Sequence, residues 1–167
     1  MPNMTQTQSA LWTKIQAFLL DDPASAYTFS DRLASENGWT YEFALRAIEE
    51  YKRFMFLICV SPYPQTPSDQ VDQVWHLHLL YTESYWIDFC ENTLGKRINH
   101  GPTKGGPTER QQYKDWYALT LALYAEVFQQ APPPEIWPDD KQRFSDIHFE
   151  RINKRQHWII KKPKFLW

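Results

Sequence analysis

Segment 71–80, VDQVWHLHLL, places an aspartate and two histidines within seven residues and is the densest spot for metal ligation or proton transfer in the chain. Its chemistry depends on the backbone. On a strand, His76 and His78 would face the same side and could chelate one ion. On a helix they stand about 200° apart, so a straight helix cannot turn both toward one metal. Asp72 and His76 are four residues apart and do share a helical face. Seven-residue steps extend that face through Leu79 and Glu83 to Cys90. Such a column could ligate a metal or work as acid and base. It reads equally well with Asp72 serving the helix start, Glu83 solvated and Cys90 as a small core residue. His78 falls on the side of Val71, Trp75, Thr82 and Phe89, the most apolar face, where a hydrogen-bonded core histidine is the expectation.

Three further residues could join this chemistry. His100 lies in a loop holding four of the five glycines, and it could bring a nitrogen to a site built on helices or cap a carbonyl. Glu109 begins the next helix, where it suits the positive end of the helix dipole. Glu50 borders an apolar stripe, so its carboxylate must be paired or functional, with Arg53 as the nearest partner in sequence. Glu50 and Glu109 are the candidate general bases. Phosphate-loop, dinucleotide, GxSxG and HExxH patterns are missing. Cys59 or Cys90 could form a nucleophilic pair with a histidine, but neither sits at a helix N-terminus, where a thiolate is favoured.

Helices must carry these residues. Twelve prolines leave three long clear windows, 24–61, 68–101 and 108–131, and proline is excluded from helix interiors. Periodicity predicts a first helix over 9–20 and a short one over 29–35 closed by Asn37-Gly38. It also predicts a long one from the cap Thr40 to about residue 60, with a stripe of Phe43, Ala47, Tyr51, Phe54 and Ile58. The next helix is predicted over 69–93, its start marked by Asp69 and Asp72 and its stop by Gly95. It is apolar on most sides and so central to a bundle. A capping box at Thr108–Gln111 opens a helix striped by Tyr113, Trp116, Tyr117, Thr120, Leu121, Tyr124, Val127 and Phe128. Segment 131–138 reads as a stiff, extended, proline-rich linker. The fold expected is all-α, a bundle of about five helices.

The chain has 167 residues, the size of one domain. Two cysteines make neither a disulfide framework nor a four-ligand zinc site. The longest apolar run, residues 54–60, is too short to span a membrane, and no secretory leader is evident, so a cytoplasmic protein is expected. Residues 141–167 hold eight Lys or Arg against Asp146 and Glu150, a net +6, while residues 1–140 hold ten bases against eighteen acids, a net −8. Trp158, Ile159, Ile160, Phe165, Leu166 and Trp167 interleave with those bases. The expectation is a single helical domain over 1–140, with 141–167 as a basic, aromatic extension packed on it. The sharper possibility is an arm that contacts an anionic partner.

The pattern Asp72-x-x-Trp75-His76-x-His78-x-Leu80, followed by Tyr81, Tyr85, Phe89-Cys90, Gly95 and His100, resembles the glycine-rich domain-containing protein-like family. Glu50-Tyr51-Lys52-Arg53-Phe54, segment 100–109 and segment 133–138 are similar to its bacterial branch, so the resemblance covers about residues 40–140. The glycine-rich repeat of the family name has no counterpart here. The pattern looks like the hallmark of the family, and no reaction comes with it. The resemblance therefore marks Asp72, Trp75, His76, His78, Cys90 and His100 without naming chemistry. Two functions are expected in competition. One is a binding or adaptor module that recognises a protein or other partner through an aromatic, histidine-lined pocket (Trp75, His78, Cys90) and the basic tail; nucleic acid is the less favoured partner. The other is a metal-binding domain or metal-dependent hydrolase using His76 and His100 with Asp72 or Glu50 on a divalent transition metal such as zinc.

Overall fold

A computed structural model of the chain describes residues 4–101, 105–145, 152 and 155–160. Among them are six α-helices and one π-helix: α1 (Gln6–Ala17), α2 (Phe29–Asn37), α3 (Tyr41–Val60), α4 (Asp69–Leu80), the π-helix (Ser84–Leu94), α5 (Pro107–Phe128) and α6 (Asp140–Arg143). The chain is an all-α bundle, as its periodicity predicts.

Short polar side chains set most of the helix starts. Thr5, Thr28, Thr40, Ser68 and Asp139 each accept the backbone N–H three residues on, satisfying a donor that would otherwise lack a partner. Thr5 and Gln8 form a capping box, which starts α1 three residues before the expected position; α1 ends at Ala17 because Phe18 is extended. Gly38 closes α2 in the left-handed region, φ 65°, which glycine adopts without strain.

The helix at the centre is α3, not the one over 69–93. It packs against α1, α2, α4 and α5, and ten of its twenty residues are buried, Glu50 and Lys52 among them. A helix with neighbours on several sides buries polar positions that a single apolar stripe would leave in water.

The helix expected over 69–93 is two elements. α4 ends where Tyr81 leaves helical geometry at φ −90° and ψ 68°. The chain then resumes in wider π-helical winding to Leu94, and Gly95 closes it with φ 64°. Within it Tyr85, Phe89, Cys90 and Leu94 are buried. Those spacings of four and five residues suit π winding, so the seven-residue column from His76 does not survive: Glu83 is exposed and Cys90 is in the core.

Two more expectations are corrected. α5 has no capping box; Gly106 precedes Pro107 without a side-chain bond, and Glu109 instead accepts the Gly105 N–H at 2.5 Å. Segment 131–138 is not an extended linker. Ile136 and Trp137 both donate backbone N–H groups to the Pro133 carbonyl, at 3.0 and 2.8 Å, and this turn buries both side chains. Burying two large apolar groups outweighs the stiffness of the prolines around them.

α6 follows and packs on α5. Arg143 ties it to the start of α4, pairing with Asp69 at 2.6 Å and donating to the Pro67 carbonyl at 3.0 Å. Farther on, Trp158, Ile159 and Ile160 are 95, 60 and 83% exposed. Residues 146–151, 153–154 and 161–167, most of the segment expected to pack on the body, lie outside the described residues. No helix among the described residues is long and apolar enough to cross a membrane.

Trp137 is the anchor of the 133–137 turn, so Trp137→Ala is expected to cost about 3–5 kcal/mol of unfolding free energy. Urea unfolding followed by circular dichroism measures it, and a loss under about 1 kcal/mol would contradict the anchoring role.

Candidate metal centre

Because Ser68 satisfies the N-terminal N–H of α4, Asp72 is free for another partner. Its carboxylate Oδ1 lies 2.7 Å from Nε2 of His100, and its Oδ2 lies 3.8 Å from Nε2 of His76, one turn along the same helix. One ligand atom from each of the three residues falls within 4.8 Å of the others. The two imidazole rings are 4.6 Å apart, centroid to centroid. The side chains of Asp72 and His100 are 20 and 18% exposed and that of His76 is 51% exposed, so the cluster opens to solvent on the His76 side.

His100 reaches this place because its loop is pinned. Tyr85 donates its hydroxyl to the carbonyl of Ile98 at 2.6 Å, two residues before His100. Trp75 in turn donates its indole N–H to the Tyr85 oxygen at 2.9 Å. The Trp75 ring also stands edge-on to His100, 4.3 Å between centroids. Helix α4 therefore supplies Asp72, His76 and the wall behind His100.

The donor set is two imidazoles and one carboxylate. Around an ion with bonds of about 2.0–2.1 Å, tetrahedral donors sit roughly 3.3 Å apart. The Asp72–His100 contact is shorter than that because a proton joins the pair. The Asp72–His76 contact is slightly longer. An ion held here would take the place of the hydrogen between Asp72 and His100 and would need His76 to move closer.

The remaining candidates lie elsewhere. His78 is buried, as its apolar face predicts. Its Nδ1 lies 2.9 Å from the Tyr51 hydroxyl and its Nε2 lies 3.1 Å from Ser84 Oγ. Phe18, Phe29, Tyr85 and Phe89 complete its surroundings. Burial holds its pKa down to about 3, so it is neutral at physiological pH. Trp75, His78 and Cys90, the residues expected to line a pocket, are all buried.

Glu50 is not in the cluster. Its Oε2 accepts the Trp137 indole N–H at 2.8 Å, and its Oε1 accepts the Tyr124 hydroxyl at 3.1 Å, with Arg53 at 3.6 Å. Burial raises its pKa, while Trp137, Arg53 and Tyr124 oppose that shift. It lies beside a shallow cleft of about 300 Å³ that is also lined by Arg46, Arg53 and Pro133. Glu109 is likewise outside the cluster, committed to Gly105. Burial raises the thiol pKa of Cys59 to about 11 and shifts that of Cys90 upward too, which disfavours a thiolate nucleophile.

Sequence reasoning brought Asp72, His76 and His100 forward but gave no role to Tyr85, whose hydroxyl bonds both Trp75 and the loop before His100. Tyr85 is thirteen residues from Ile98 and ten from Trp75, and no local pattern links such positions. Comparison of the chain with family models, with curated proteins and with solved structures finds no match.

His78 makes stability depend on pH. Its folded pKa of about 3 lies below the usual 6.5, so between these values the unfolded chain binds a proton that the folded chain refuses. Stability should therefore fall as pH is lowered through that window, by up to roughly 1.4 kcal/mol per pH unit. Unfolding free energies of the wild type and His78→Gln measured from pH 7 to pH 4 should diverge in slope; parallel slopes would exclude this origin.

Proposed function

We propose that this chain is a metal-binding domain in which Asp72, His76 and His100 hold one divalent transition metal ion, zinc being the first to test. One observation carries the proposal. A carboxylate and an imidazole one turn apart on α4 meet a second imidazole delivered by a pinned loop, all within 4.8 Å. Four of the six positions marked by the family resemblance (Asp72, Trp75, His76 and His100) meet at this spot, which supports the same reading. Two histidines and one carboxylate suit zinc or iron. Three protein donors leave at least one position for water or a substrate oxygen, the arrangement of a catalytic rather than a closed structural site. Glu50 and Glu109, the candidate bases of such a hydrolase, have their carboxylates on Trp137 and Tyr124 and on the Gly105 N–H.

The test is elemental analysis and zinc titration of the tag-free protein. One equivalent of zinc is expected. His76→Ala, His100→Ala and Asp72→Asn should each weaken binding at least about a hundredfold, more than the loss of an outer partner, with the helical spectrum unchanged because all three side chains are partly exposed. Failure to take up metal after reconstitution, or equal uptake by all three variants, would overturn the proposal.

A second reading, the binding or adaptor module, draws support from the exposure of Trp158, Ile159 and Ile160 within a segment of net charge +6. It requires an acidic partner. Immobilised polyglutamate should retain the full chain at low salt and not a variant ending at residue 145; equal retention of the two would set this reading aside.

A further inference from the structure

The π-helix is the least expected element of the chain, and π-helical turns recur where a protein aims a side chain at a functional site. Here the aimed group is the hydroxyl of Tyr85. We infer that Tyr85 is a positioning residue of the centre formed by Asp72, His76 and His100: held between the Trp75 indole N–H and the Ile98 carbonyl, its hydroxyl sets where His100 stands opposite Asp72. The inference deepens the metal-binding reading and rests on it.

Three observations support it. Trp75, Tyr85 and Ile98 are all buried, so each polar group in the relay N–H to O–H to O=C would be costly to leave unpaired. The relay joins three elements, α4, the π-helix and the loop before His100, and bonds in such a chain strengthen one another. The indole held by Tyr85 is also the ring against which His100 packs edge-on, at 4.3 Å. Tyr85 therefore controls both the backbone that carries His100 and the wall behind it. Filling the core does not explain the hydroxyl: the Tyr85 ring packs on His78 and Trp86, and a phenylalanine would fill that space equally well.

Tyr85→Phe keeps the ring and removes the relay. It is expected to fold and to bind zinc about tenfold more weakly, the lower end of what outer partners contribute. Tyr51→Phe is the control. It removes an equally buried hydroxyl, the one facing His78, and should lower the unfolding midpoint without changing zinc affinity. A second readout needs no metal. The His100 ring protons, shifted by the Trp75 ring current in the wild type, should move toward free-imidazole values in Tyr85→Phe. Trp75→Phe, which removes the N–H and keeps an aromatic wall, should weaken zinc binding in the same direction and serves if Tyr85→Phe does not fold.

Wild-type zinc affinity in Tyr85→Phe together with unmoved His100 signals would overturn the positioning role and leave the metal centre standing. A wild type that takes no zinc, with His100 signals that still move in Tyr85→Phe, would overturn the metal reading and uphold the control of His100 by Tyr85.

Discussion

The bundle depends on a buried carboxylate that never stands alone. Glu50 meets the Trp137 N–H, the Tyr124 hydroxyl and the Arg53 guanidinium, and so joins α3 to α5 and to the 133–137 turn. A carboxylate out of water is costly unless such donors surround it. That requirement specifies how the C-terminal half sits on the first half. Its neighbour Tyr51 performs the matching task on another side of α3, bonding His78 of α4. Two consecutive residues on the central helix thus hold its two flanks, one through a charge and one through a neutral pair.

The break after α4 is what makes the cluster three-dimensional. A straight helix through residue 93 would carry Asp72 and His76 but could not bend the following chain back over them. Interruption at Tyr81 and wider winding afterward turn Tyr85 toward Trp75 and bring the loop across the first turns of α4. His100 then stands 2.7 Å from Asp72, although 28 residues separate the two in sequence.

The histidines show how environment divides one residue type into different chemistries. His78 is enclosed by aromatic rings and bonded to two hydroxyls, and burial disfavours its protonated form, so it remains a neutral core group. His76 and His100 face a carboxylate at a solvent-accessible edge, the setting in which an imidazole can exchange a proton for an ion. Glu50 and Asp72 divide in the same way. The carboxylate of Glu50 is surrounded by donors of its own chain, whereas Asp72 meets two imidazoles.

By itself the sequence determined the helical class, the cap at Thr40 and the span of α3, because these follow from proline spacing, a short polar side chain and local periodicity. It also determined that Asp72 and His76 share a face and that His78 does not, since both follow from the helical repeat. The tertiary structure alone decided the rest. Which helix is central, where α4 stops, that residues 133–137 turn inward and that Tyr85 reaches Ile98 all depend on packing between segments far apart in the chain. Periodicity reports which side of a helix is apolar, not what covers it. Winding as π rather than α, or turning rather than extending, is settled by small differences in backbone energy that the burial of a tyrosine or a tryptophan exceeds. The meeting of His100 with Asp72 belongs to this second kind, because a loop of glycines and prolines reaches one place among many only when buried hydrogen bonds hold it there.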